Sequence, residues 1–141
     1  MTASDLLQQV ESVLRTEGTD LISAYLFGSE AEGRSHIESD VDLAVLLARE
    51  RFPDSAARFE YRLSLFSRLG AGLEGHTLDL VVLNDAPPLL ARHIVTGGRR
   101  LVCTDREADH AFVRDVQLRA ADLEPFMRRM RRIKLERIAG T

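Results

Sequence analysis

The chain is 141 residues long, 45% hydrophobic and 29% charged, the size and balance of one globular domain, which excludes extensive disorder and collagen-like repeats. Its net charge is −3, yet residues 128–137 hold six basic side chains and one acid, so the remainder is acidic and unsuited to binding DNA over its whole surface. No apolar run approaches the roughly 20 residues that span a bilayer, residues 1–5 lack the basic and apolar character of a leader, and the lone Cys103 forms no internal disulfide; a cytosolic protein with no membrane contact is the expectation.

Leu6, Leu7, Val10, Val13 and Leu14 recur at helical spacing after Ser4-Asp5 and before Gly18, and predict an amphipathic first helix. Residues 21–27, Leu-Ile-Ser-Ala-Tyr-Leu-Phe, are β-prone and run into Gly28-Ser29, which predicts a strand ending in a tight loop. The polar stretch from Glu30 to Ser39 reads as loop. Val41, Leu43, Val45 and Leu47 then alternate with Asp42, Ala44 and Leu46, a second strand with one wholly apolar face and Asp40 at its mouth. A second helix follows Pro53-Asp54-Ser55, carries Ala56, Phe59, Leu63, Phe66 and Leu69 on its stripe, and stops at Gly70. Residues 77–83 form a third strand with Asp79 inside it. Asp85 before Pro87-Pro88 opens a third helix that runs to Gly97-Gly98, and Arg100 to Cys103 make a short fourth strand. From Asp105 the periodicity is helical to the end, with Pro125 expected to separate or kink two helices. The order predicts an α/β (α+β) fold, a small mixed sheet flanked by helices, as a single domain over residues 1–141 whose segment from about 105 to 141 is a helical C-terminal extension.

The chemistry concentrates where Gly28-Ser29 ends one strand and Asp40-Val41-Asp42 opens the next. Residues two apart on a strand point to the same side, so Asp40 and Asp42 present two carboxylates on one face with Cα atoms about 6 to 7 Å apart. Mg²⁺ takes oxygen ligands and is commonly held through one or two carboxylates plus substrate phosphates, which points to a nucleoside triphosphate. Backbone N–H groups exposed at Gly28, with the Ser29 hydroxyl, can cradle phosphate oxygens. Asp79, on a neighbouring strand, fits the third carboxylate of a two-metal site that activates an attacking hydroxyl and stabilises leaving pyrophosphate. Each residue alone also suits a plain turn or an edge-strand position. Their convergence favours the metal site.

This pattern, Gly28-Ser29, then Asp40-Val41-Asp42, then the distant Asp79, resembles the minimal nucleotidyltransferases of the DNA polymerase β superfamily over about residues 5–103. The short chain is similar to those members encoded beside HEPN-domain ribonucleases. The resemblance implies the nucleotidyltransferase fold, with Gly28 and Ser29 holding the triphosphate of ATP, Asp40 and Asp42 binding two Mg²⁺ ions, and Asp79 binding the catalytic one and helping to deprotonate the acceptor. It implies further that AMP from ATP is attached to a tyrosine of a HEPN toxin, that the chain is that toxin's antitoxin, and that the two proteins assemble. Many relatives carry basic residues in the glycine-serine loop, where this chain has Glu30 and Glu32 and Arg34 is the nearest cation. Two alternatives therefore stand beside this reading: nucleotide transfer to a small-molecule hydroxyl of aminoglycoside type, and an antitoxin that neutralises its partner by binding alone.

Other features carry less. The sequence has neither the Gly-Lys-Ser/Thr ending of a P-loop nor a Gly-x-Gly-x-x-Gly pattern, and His36, His76, His93 and His110 lack the close spacing of zinc ligands. His36, in the loop before Asp40, reads as a solvated side chain with phosphate contact as the alternative. The basic segment 128–137 carries an apolar stripe of Phe126, Met130 and Ile133. It reads either as a terminal helix packed by that stripe or as a docking face, for which a protein is preferred over nucleic acid because no aromatic side chains interleave with the arginines.

Overall fold

The computed structural model describes residues 3–28 and 41–140. Helix α1 (Ala3–Thr16) leads through a short 3₁₀ turn to strand β1 (Leu21–Phe27); β2 (Val41–Leu47), α2 (Ser55–Gly70), β3 (Leu78–Val82), α3 (Pro88–Gly97), β4 (Arg99–Cys103) and α4 (Arg106–Ala139) follow. The strands form one mixed sheet in the order β3-β2-β1-β4, in which β1 pairs antiparallel with β2 and β4, and β2 pairs parallel with β3.

The pleat of β2 divides the molecule. Val41, Leu43, Val45 and Leu47 point to one face, where they are buried with Leu6, Val10 and Leu14 of α1 and Leu65 and Leu69 of α2. Ala44 and Leu46 point to the other, against Ala91 and Ile94 of α3 and Val116 of α4. The apolar stripe anticipated for the first helix is therefore the stripe that packs. Asp54 caps α2 by accepting from the Ala57 backbone N–H at 2.8 Å, and Asp105 caps α4 by accepting from Ala108 at 3.1 Å. Pro87, rather than Asp85, stands before α3. Asp85 instead closes a 3₁₀ turn and accepts two bonds, at 2.8 and 2.9 Å, from the Arg58 guanidinium, tying the start of α2 to the end of β3. Arg62 Nε donates to the Leu80 carbonyl at 2.7 Å and so shields the edge strand β3.

Two findings concern α4. It does not separate at Pro125 but runs on as one helix of 34 residues. Pro125 is exposed, so the carbonyl of Ala121, which proline cannot bond, is left to solvent rather than to an apolar core. The helix also outruns the domain, since its last buried residue is Ala120.

The start of α4 is locked by a polar cluster inside the apolar layer. The carboxylate of Asp109, 1% exposed, accepts from the Ser23 hydroxyl at 2.6 Å, the Tyr25 hydroxyl at 2.7 Å and the Arg100 guanidinium at 2.9 Å. Three donors from β1 and β4 satisfy one buried charge, so the helix is held in register with the sheet. Burial, and then the Asp109 carboxylate, push the Tyr25 phenol well above its ordinary value.

Candidate active site

The predicted site residues Gly28, Asp42 and Asp79 meet at one end of the sheet. Asp42 is the second residue of β2, and its register partners are Phe27 of β1 on one side and Asp79 of β3 on the other. Adjacent strands lie about 4.8 Å apart, so the two acids are lateral neighbours on the face opposite the α1/α2 core. The sequence brings them together through the parallel β2-α2-β3 unit: Asp79 lies 37 positions beyond Asp42 along the chain, yet the apolar registers Val41 with Leu78 and Leu43 with Leu80 leave no other pairing for Asp79. Asp42 is half-buried and Asp79 exposed. The end of the sheet therefore presents carboxylates to solvent on a fold whose strands are otherwise apolar.

Gly28 is needed here for two reasons. Its φ is +75°, in the left-handed region that side chains rarely adopt, and a Cβ at this position would sit 2.3 Å from Asp42 Oδ2. The Asp42 carboxylate thus lies directly over the backbone where β1 ends. Glycine is the only residue that permits both the turn and that approach.

Ser29 and Asp40, the other two site residues of the sequence reading, lie outside the described residues, as do His36, Glu30, Glu32 and Arg34. Among the described residues no cluster of three His, Cys, Asp or Glu side chains is placed to hold a metal ion; Asp42 and Asp79 form a pair. Asp40 immediately precedes β2 in the sequence. The donor set fits Mg²⁺, since carboxylate oxygens beside an exposed, open face suit a hard cation that keeps water and shares substrate oxygens.

Of the histidines, His93 and His110 are exposed on helices, as surface residues are. His76 is half-buried in the turn before β3, and its buried Nδ1 has no hydrogen-bond partner among the described residues. The Asp109 cluster escaped the sequence reading because an acid in the first turn of a helix is ordinary. The available signal was its place on the same stripe as Phe112, Val116 and Ala120, where a solvated acid has no reason to be.

Residues 8–107 match the family model described as polymerase beta, nucleotidyltransferase. The chain is 33% identical to the protein adenylyltransferase MntA of Shewanella oneidensis over 110 residues, 78% of this chain and 74% of that one. Among solved structures it is similar to a toxin-antitoxin crystallised with AMP-PNP, at a TM-score of 0.69 and 29% identity over 92% of this chain and 98% of the other. It is also similar to a chain of the complex between tri-AMPylated HEPN toxin of Shewanella oneidensis and MNT antitoxin, at a TM-score of 0.66 and 26% identity over 95% of this chain and 99% of the other. With the mixed sheet, the glycine turn and the paired acids in place, the match across most of its length shows that this chain belongs to the polymerase beta nucleotidyltransferase family.

Proposed function

We propose that this chain transfers AMP from ATP to a tyrosine hydroxyl of a HEPN-type ribonuclease toxin, and that it acts as that toxin's antitoxin in the cytoplasm. The observation that carries the reading is the in-register pair Asp42 and Asp79 beside Gly28, on a chain whose relative is a protein adenylyltransferase and whose structural neighbours include a chain from a complex of MNT antitoxin with an AMPylated HEPN toxin. Residues 1–141 act as one nucleotidyltransferase domain with α4 as its extension.

The roles rest on the chemistry of each group, and for Gly28, Asp42 and Asp79 also on their placement at one end of the sheet. Backbone N–H groups at the Gly28 turn, with the Ser29 hydroxyl, seat the triphosphate. Asp40, Asp42 and Asp79 would hold two Mg²⁺ ions, which when bound offset the negative charge of the triphosphate and of the departing pyrophosphate. A phenol loses its proton near pH 10 in water, so a base must take it as the oxygen attacks; Asp79, the exposed acid of the pair, is placed at the open face to receive it. The tyrosine oxygen forms its bond to the α-phosphorus, the bond from that phosphorus to the bridging oxygen breaks, and pyrophosphate leaves with its electron pair. AMP on the toxin adds bulk and negative charge.

Co-expression with the HEPN toxin of the same genome, followed by intact-mass measurement, tests this directly. The toxin is expected to gain one or more AMP groups with wild-type chain and none with the Asp40→Asn/Asp42→Asn double variant. A toxin that gains no AMP, yet is neutralised equally by wild-type and double variant, would replace transfer by binding alone. AMP found on a small hydroxyl compound instead would establish the aminoglycoside-type alternative.

A further inference from the structure

Helix α4 carries one continuous face with two fates. Asp109, Phe112, Val116 and Ala120 lie along that face and pack onto the sheet and α3. At 3.6 residues per turn the same side continues through Leu123, Met127 and Met130, widened by Phe126 and Ile133. Beyond Ala120 nothing in the chain's described residues covers it: Phe126 is 52% exposed, Met127 45% and Met130 48%. Among the described residues, an ion pair of Arg92 on α3 with Glu124, at 2.7 Å, ties the start of this stretch to the body. Leu123 to Ile138 therefore project as about 24 Å of amphipathic helix with an open apolar stripe. A stripe of this kind on a globular protein marks a surface that another molecule covers.

The charges around the stripe decide which molecule. Arg128, Arg129, Arg131, Arg132, Lys134 and Arg137 stand on this segment against two acids, Glu136 and the Glu124 that already pairs with Arg92 and Arg128. A second copy joined through the same segment would bring six cations against six. A phosphate backbone would answer the cations but leave Phe126, Met127 and Met130 uncovered. We infer that the segment from Leu123 to Ile138 docks into an acidic, helical surface of the acceptor protein, with the apolar stripe at the centre of the contact and the arginines at its rim. The inference rests on the proposed function for the partner's identity, and it adds the surface by which the chain holds that partner. Apolar and Met-rich helix faces seat well in grooves between helices, and a basic rim speeds encounter with an acidic surface.

The test measures binding of full-length chain to the HEPN toxin of the same genome without ATP, so that transfer does not enter. The Phe126→Glu/Met130→Glu variant is expected to bind at least about tenfold more weakly, chiefly through faster dissociation, while circular dichroism and the melting temperature of the free chain stay unchanged. Replacing Arg128, Arg129, Arg131 and Arg132 by Gln is expected to slow association and flatten its dependence on salt. Wild-type affinity and rates in both variants would overturn the inference. It would also fall if light scattering found the chain alone to be a dimer that Phe126→Glu/Met130→Glu dissociates while toxin affinity holds, or if the variants lost affinity for single-stranded RNA and kept that for the toxin. Transfer of AMP with variant binding unchanged removes only this docking face. Tight binding through the tail without any AMP on the toxin removes only the transfer reading.

Discussion

The two faces of the sheet were built from the same strands and have opposite characters. Toward α1 and α2, β2 presents Val41, Leu43, Val45 and Leu47, all buried in one apolar cluster. Toward α3 and α4 it presents Asp42, Ala44 and Leu46, and the neighbouring strands add Asp79 at the open end and the Ser23 and Tyr25 hydroxyls that bind Asp109. The first face holds the fold together, and the polar groups that can do chemistry sit on the second. A strand of alternating pattern supplies both at once because its side chains are divided between the faces with a period of two. The difference teaches that a substitution one residue along β2 changes which property is lost.

The widest gap between the faces is expected from the pair Asp42→Asn and Leu43→Ala. Asp42→Asn keeps the side chain's size and removes its charge; AMP transfer, read by intact mass of the toxin, should fall at least about a thousandfold while the melting temperature holds. Leu43→Ala should do the reverse, costing about 2–5 kcal/mol in chemical denaturation with transfer per folded molecule retained. Near-normal transfer by Asp42→Asn would remove it from the site.

Asp109→Ala asks whether the polar cluster on the second face is structural. It leaves two buried hydroxyls on β1 without their acceptor and Arg100 without its carboxylate, and should cost about 2–4 kcal/mol in denaturant unfolding. A loss like that of an exposed acid would show that α4 is held by its apolar contacts alone.

Gly28→Ala joins the two kinds of effect. The positive φ and the approach to Asp42 Oδ2 predict a loss of about 1–2 kcal/mol in stability together with weaker transfer, because Asp42 must move to admit the methyl group. Unchanged transfer would mean that the position of the Asp42 carboxylate over the turn does not matter to the reaction.

The smallest effect is in pH. Tyr25 is raised by burial and by Asp109, and Tyr61 by burial and by the Glu17 carboxylate that accepts its hydroxyl. The folded chain keeps both phenols protonated at pH values where the unfolded chain releases them. Their contribution is whole below about pH 10 and declines as pH rises above it. The melting temperature should fall along that alkaline limb, more gently in Tyr61→Phe, which removes the phenol on the α1/α2 side and leaves Tyr25, on the second face, in place. An equally steep limb in that variant would place the alkaline loss elsewhere.

Much of this architecture was legible in the residues themselves. The alternation over 41–47 specifies a strand and assigns each side chain to a face, and the Asp54 and Asp105 caps mark where α2 and α4 begin, because these are local effects of backbone geometry and hydrogen bonding. The choice of Gly28, Asp42 and Asp79 as candidates came from residue chemistry and spacing. Tertiary structure decided what spacing cannot. Asp79 becomes a neighbour of Asp42 only through the parallel register of β2 and β3, a pairing across the whole of α2. Asp109 becomes a buried anchor only where Ser23, Tyr25 and Arg100 converge from two strands. Helical periodicity drew the same stripe through all of α4. Whether a stripe is core or open surface depends on what faces it, and here α3 and the sheet end near Ala120 while the helix continues to Ala139.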